Sequence, residues 1–461
     1  MGELLGETQS LCPICLRRIP ARRIAESRNV YMEKTCPEHG DYKVLIWRNH
    51  GEHYREWSRF GGKTAKGPQK RLTDVHSGCP YDCGLCPEHK QDTCMVVMEV
   101  TGRCNLRCPI CFAGANERHT PEPDLDVIRG MYETLLDSVG PYPVQLSGGE
   151  PTLRDNLPQI VALGKDMGFD HIQVNTNGLR IAEDIDYLHK LKDNGATLVY
   201  LQFDGVTDDV NRYLRGKGLL AFKVKAIENC SKVKIGVILV PTLIPRINDQ
   251  QIGDIIRFAK RWIPIVKGVH FQPIGYFGRY PRLPNNEDRI TIPEVIKAIQ
   301  DQTQGEIKAE NFVPPGCEHP HCSFSGFFVL MEDGKLLPTT RFLLTEKTVH
   351  PNPEDAAEQA RQFIQRRWRL TEEDIEKPRA SCECKPGSWL EFYERARRDY
   401  LCVSGMAFQD AWNIDLERLK RCCIHIIVPP GRVVPLCAYY VTSIDGRRLY
   451  GDPSLVYKDM G

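Results

Sequence analysis

The chain carries 19 cysteines in 461 residues, and most fall in short, regular groups. Cys104-Asn105-Leu106-Arg107-Cys108-Pro109-Ile110-Cys111 has the spacing C-x3-C-x2-C. Three thiolates this close can hold three irons of a [4Fe–4S] cluster and leave the fourth open to a ligand, which turns an electron store into a site of chemistry. Cys79, Cys83 and Cys86 repeat the spacing, with Cys94 as a ready fourth ligand, and so predict a closed auxiliary [4Fe–4S] cluster. Cys12 and Cys15, then Cys36 and His39, form a knuckle pair with the spacing of a tetrahedral mononuclear site for zinc or iron. Cys317, Cys322, Cys437 and one of the adjacent Cys422 and Cys423 predict a second auxiliary cluster, with Cys382 and Cys384 as possible replacements. Cys230 stands alone and reads as core.

Strand-like runs at 95–100, 144–147, 171–175, 197–203, 234–240 and 268–274 alternate with amphipathic runs near 125–139, 157–167, 184–194, 218–230 and 248–262. Six such alternations predict a parallel α/β sheet. The cysteine triad 104–111 then sits on the loop after the first strand, and in parallel α/β folds such loops form the functional face. The divisions expected are a metal ribbon at 1–60, an auxiliary-cluster segment at 70–95, a barrel at 90–290 and an α+β cluster-binding extension at 305–461.

Lys and Arg (61) balance Asp and Glu (60), so no bulk field draws nucleic acid or an acidic membrane. No apolar run reaches the ~18–20 residues that span a bilayer. Met1 to Leu11 has no basic or apolar leader pattern. These features predict a cytoplasmic protein whose cysteines bind metal instead of pairing as disulfides. Arg366-Arg367-Trp368-Arg369 offers a basic face for peripheral contact with lipid head groups.

The cysteine loop is followed by Ser147-Gly-Gly-Glu-Pro-Thr152, by Asn175-Thr-Asn-Gly178 and by Leu201-Gln-Phe-Asp-Gly205, each at a strand end. This ordered set resembles the radical S-adenosylmethionine (SAM) superfamily. The resemblance implies a partial (βα)6 barrel, a [4Fe–4S] cluster on Cys104, Cys108 and Cys111, and SAM held by Gly148, Gly149, Glu150, Asn177, Gln202 and Asp204. One departure is Ile110, where many members carry an aromatic residue that packs on adenine; Phe112 is the nearest ring. With the N-terminal ribbon and the C-terminal Met406-Ala-Phe-Gln-Asp410 and Cys422-Cys-Ile-His425 segments, the chain resembles the branch of the archaeal tetraether lipid synthase and of radical SAM methyltransferases acting on a dihydropterin. That resemblance implies a 5′-deoxyadenosyl radical that takes hydrogen from an unactivated carbon, and an electron donor such as ferredoxin or flavodoxin.

The first expectation is carbon–carbon coupling of isoprenoid lipid chains, with an apolar groove lined by Tyr276, Phe277 and Tyr280. The alternative is methylation of a pterin such as 7,8-dihydro-6-hydroxymethylpterin, which needs a smaller and more polar pocket. A third reading, an electron-transfer or scaffold protein without turnover, leaves the Gly-Gly-Glu-Pro turn beside the cysteine loop unexplained.

Overall fold

A computed structural model describes all residues except 1, 49–50, 60–66, 69, 118–120, 341–357, 363, 366–388, 430 and 451–461. Cys382, Cys384 and Arg366 to Arg369 lie outside the described residues. The N-terminal ribbon is an antiparallel sheet of β1 (Glu3–Leu11), β2 (Arg18–Glu26), β3 (Asn29–Cys36) and β4 (Gly40–Trp47) in sequential order. Along β3, Val30, Met32, Lys34 and Cys36 are buried and their neighbours more open, the alternation of a sheet with one packed face. Helix α1 (Gly51–Arg59) leads out of the ribbon.

The large sheet begins with β5 (Met95–Thr101) and continues, with helices between, through β6 (Val144–Gly148), β7 (Ile172–Thr176), β8 (Leu198–Gln202), β9 (Gly236–Val240), the two-residue β10 (Thr242–Leu243) and β11 (Val266–Pro273). These are the six expected strands plus β10, a short addition pairing with β11. Helices α2 (Leu125–Ser138), α3 (Leu157–Asp166), α4 (Leu179–Glu183), α5 (Ile185–Asp193), α6 (Asp208–Arg215), α7 (Leu220–Val233) and α8 (Ile252–Arg261) cover its outer face. The apolar rows of α2, Ile128, Met131, Tyr132 and Leu135, are fully buried with the strand residues Val96, Met98 and Leu146. Helix α6 was not expected; its short run of Asp, Asn and Arg hides an apolar pair, Val210 and Leu214.

The C-terminal segment is woven into this sheet. It supplies β12 (Ser323–Leu330), β13 (Leu336–Pro338), β14 (Tyr400–Met406), β15 (Ile424–Val428) and β16 (Arg432–Pro435). The order is β13-β12-β14-β11-β9-β8-β7-β6-β5-β15-β16. Strand β15 pairs parallel with β5, and β14 pairs parallel with β11. The extension therefore covers both edges of the six-stranded partial barrel, which would otherwise present unpaired backbone groups.

Candidate active site and metal centres

The loop after β5 is held from three sides. The Asn116 side chain accepts from the Cys104 N–H (2.8 Å) and donates to the carbonyls of Cys104 (3.0 Å) and Leu106 (3.2 Å). Arg279 donates from Nε to the Cys108 carbonyl (2.8 Å), and its backbone exchanges two hydrogen bonds with Cys111. Cys104, Cys108 and Cys111 all face one cavity of about 760 Å³. Their sulfurs do not all lie within 4.8 Å of one another, so the set is wider than a single ion needs. Burial pushes the Cys104 thiol up to about 12, so a metal must displace its proton on binding. A three-thiol set open to a large cavity fits a cluster with one exchangeable iron.

The Gly-Gly-Glu-Pro turn closes against this loop. Gly148 has φ +125°, and a Cβ on Gly149 would collide with the carbonyl oxygen of Arg103. The Glu150 side chain is fully committed: it accepts from the Thr152 N–H (3.1 Å) and hydroxyl (2.6 Å), the Thr176 hydroxyl (2.7 Å) and the Asn177 N–H (2.6 Å). It ties the β6 turn to the β7 turn. Asn177 lines the cavity and donates to Asn105 (2.7 Å) within the cysteine loop. Gln202 also lines the cavity, bonded to Asp204 and to Lys223 Nζ (2.8 Å).

Asp204 itself is fully buried and is not among the cavity-lining residues. It is clamped bidentately by Arg215 (2.7 and 2.8 Å) and accepts from the Thr242 N–H (3.0 Å). Arg215, which sequence analysis did not single out, lines the cavity instead. Burial disfavours its charge, but the Asp204 partner more than restores it, raising its pKa above the ordinary arginine value. The available signal was its spacing, eleven residues after Asp204. Lys223, buried beneath Asn177 and Gln202, was also unanticipated; burial pushes it down to about 7.

Farther down the barrel a belt of polar side chains interrupts a cavity lining that is otherwise mostly apolar. Gln145 and Gln173 are register partners on β6 and β7, and Asn175 stands beside Tyr200 on β8. His270 bonds through Nδ1 to the Ser404 hydroxyl (2.9 Å), and burial lowers its pKa to about 4, so the ring is neutral. Gln173 Nε2 and Asn175 Oδ1 are buried without a hydrogen-bond partner. Of the three aromatic residues expected to line a groove, only Phe277 does; Tyr276 and Tyr280 pack edge-on against Trp412.

In the ribbon, Cys12, Cys15, Cys36 and His39 converge, with His39 Nδ1 3.6 Å from Cys12 Sγ and 3.4 Å from Cys36 Sγ. Tetrahedral coordination at ~2.3 Å per bond gives ligand edges of roughly 3.8 Å, so the quartet has the size of a single-ion site. Cys79, Cys83 and Cys86 line a separate pocket of about 10 Å³, too small to admit SAM.

Two groupings differ from expectation. Cys94 does not join Cys79, Cys83 and Cys86. Its N–H bonds to the Cys423 carbonyl (2.8 Å), because β5 and β15 pair from this point, and its sulfur meets Cys317 and Cys423. Of the adjacent pair, Cys423 is the one whose sulfur joins Cys94 and Cys317, while the Cys422 thiol donates to the Ile424 carbonyl (3.1 Å).

The radical SAM superfamily model matches residues 98–259, and the HMPTM N-terminal zinc ribbon domain matches residues 4–48. The 7,8-dihydro-6-hydroxymethylpterin dimethyltransferase of Methanocaldococcus jannaschii is 40% identical over 94% of this chain and 93% of its own length. The GTP 3′,8-cyclase of Nautilia profundicola is 25% identical over 58% of this chain and 88% of its own. The Fe-coproporphyrin III synthase of Methanosarcina barkeri is 34% identical over 35% of this chain and 39% of its own. Among the described residues no helix is long and apolar enough to cross a membrane. With the cysteine loop, the glycine turn and the ribbon in place, the chain belongs to the radical SAM superfamily, in the family of the Methanocaldococcus pterin dimethyltransferase, and is an enzyme that uses SAM and [4Fe–4S] chemistry.

Proposed function

We propose that the protein is a radical SAM methyltransferase acting on a reduced pterin of the 7,8-dihydro-6-hydroxymethylpterin type. The observation that carries this reading is the belt of neutral donors and acceptors inside the barrel: Gln145, Gln173, Asn175, His270 and Gln272, with two buried polar atoms unpartnered. A buried amide without a partner is unfavourable by ~1–3 kcal/mol, and a pterin edge, which alternates N–H and carbonyl or ring-nitrogen groups, would relieve it. An isoprenoid chain could not. Coupling of lipid chains, the first expectation, thus has less support than methylation.

Cys104, Cys108 and Cys111 would hold the [4Fe–4S] cluster, which would supply the one-electron reduction needed for radical cleavage of SAM. The residues around it do the positioning. Asn105 and Asn177 link the cysteine loop to the β7 turn, and Arg215 and Gln202 form the adjoining wall. Phe112, Phe277 and Phe408 line the same cavity. The electron comes from a small carrier such as ferredoxin or flavodoxin.

Anaerobic incubation of the reconstituted enzyme with dithionite, SAM and dihydro-hydroxymethylpterin, with and without a second one-carbon donor, should yield 5′-deoxyadenosine and methylated pterin by mass spectrometry. A diether lipid should remain uncoupled in parallel. Lipid coupling with the pterin untouched would reverse the assignment.

A further inference from the structure

Buried charges frame the mouth of the cavity, each joining segments that follow different strands. Glu150 ties the β6 turn to the β7 turn. Arg215, bonded to Asp204, reaches Thr242 Oγ1 (3.3 Å) and the Ile110 carbonyl (3.4 Å). Between β7 and β8 the link is Lys223, 1% exposed on helix α7. Its Nζ donates to the Asn177 carbonyl in the β7 turn and to Gln202 Oε1 (2.8 Å) at the end of β8. The turn is packed tightly against its neighbours. An added Cβ on Gly178, at φ +82°, would meet Leu201 Cδ1 at 2.6 Å and the Cβ of Ala226, one helical turn after Lys223, at 3.4 Å.

We infer that Lys223 is a positioning residue for SAM: it holds the β7 and β8 turns at one spacing and sets the Gln202 amide so that a donor faces the cavity. Toward a carbonyl oxygen Lys223 can only donate, and the Asp204 carboxylate can only accept, so these two neighbours fix which end of the amide is which. Gln202 Oε1 turns to Lys223 and Nε2 to Asp204. One N–H is spent on Asp204, and the second is left for the cavity that Gln202 lines. SAM offers acceptors for it in its carboxylate and ribose oxygens. The same amine places Asn177, whose carbonyl is held from behind while its side chain bonds to Asn105 (2.7 Å) and to the Leu179 N–H (3.0 Å). The inference rests on membership of the radical SAM superfamily and not on the pterin reading.

Equilibrium dialysis of SAM against the anaerobically reconstituted full chain, with no pterin present, tests it and leaves the pterin reading untouched if it fails. Lys223→Met should bind SAM about tenfold more weakly, with iron, sulfide and circular dichroism as in the parent. Gln202→Met should weaken binding to a similar degree, and the double variant should lose less than the product of the two single losses, because one residue acts through the other. Lys223→Gln, shorter but still an N–H donor, should retain more affinity than Lys223→Met. Parent-like affinity in folded Lys223→Met, or in Lys223→Gln if the first variant does not fold, would overturn the inference. So would the full product of losses in the double variant, which would make Lys223 independent of Gln202. Loss of one cluster's iron and sulfide in Lys223→Met would also overturn it, making Lys223 a support of the cysteine loop instead.

Discussion

Asp204 and Arg215 show how a site residue can act from behind the wall. The carboxylate is fully buried and both its oxygens are held by one guanidinium, so its charge reaches the cavity through its partners Arg215 and Gln202, which line the wall. Replacing Arg215 by Gln leaves a buried carboxylate without a counter-charge, a change that typically destabilises by about 3–5 kcal/mol. Arg215→Gln should therefore unfold at lower denaturant than the parent chain and bind SAM at least tenfold more weakly in equilibrium dialysis. An unchanged unfolding midpoint would mean that water, and not Arg215, neutralises Asp204.

At the level of elements, the site is a contact between two turns. The β6 turn reaches the β5 loop only because Gly148 and Gly149 carry no side chain, and Glu150 then fastens it to the β7 turn with four hydrogen bonds. A Gly149→Ala substitution puts a methyl group onto the Arg103 carbonyl and must push the cysteine loop away. The expected result is loss of one cluster's iron and sulfide and of 5′-deoxyadenosine formation, with secondary structure by circular dichroism unchanged. Full cluster content in this variant would show that the loop tolerates a shift of its neighbour. The segment after β11 has a matching duty: Arg279 clasps the loop from the other side, and Gly278, at φ +53°, lets the backbone pass beneath Cys111 and Phe112.

In the whole molecule the ribbon is docked onto the barrel and its extension. Arg23 pairs with the buried Asp415 (2.7 Å), Arg48 with Glu294 (2.9 Å), and Trp57 Nε1 donates to the Pro320 carbonyl (2.8 Å). Lys34 on β3 donates to Ser10 Oγ (3.0 Å) and to the carbonyls of Leu11 (2.6 Å) and Ala411 (2.9 Å), bridging the ribbon to the extension. Burial outweighs the nearby Asp410 charge and pushes Lys34 down to about 7. Its pKa in the unfolded chain is ~10.4. Between these values the unfolded state binds more protons, so stability rises with pH from about 7 to about 10 at up to ~1.4 kcal/mol per unit. Below 7 the full penalty of burying the charged amine applies. Lys34→Met should flatten that rise in denaturant titrations taken across this window, while parent and variant differ by a constant amount below pH 6. A variant as pH-dependent as the parent would assign the slope to Lys223 instead.

Much of this was legible in the sequence because it is local. The reach of C-x3-C-x2-C fixes three thiols on one loop wherever the loop is placed, and the alternation of strand and helix periods fixes a parallel sheet with that loop at its functional end. The ribbon quartet follows from the same kind of short-range geometry. What the tertiary structure alone decided are partnerships across hundreds of residues. Cys94 belongs with Cys317 and Cys423 because β15 takes its place beside β5, and nothing near residue 94 encodes that choice. The pairings of β14 and β15 with the barrel edges, the exchange of Asp204 for Arg215 at the cavity wall and the polar belt of Gln145, Gln173 and His270 likewise depend on which strands become neighbours. Spacing along the chain sets how far a ligand can reach; sheet register sets which distant ligand it meets.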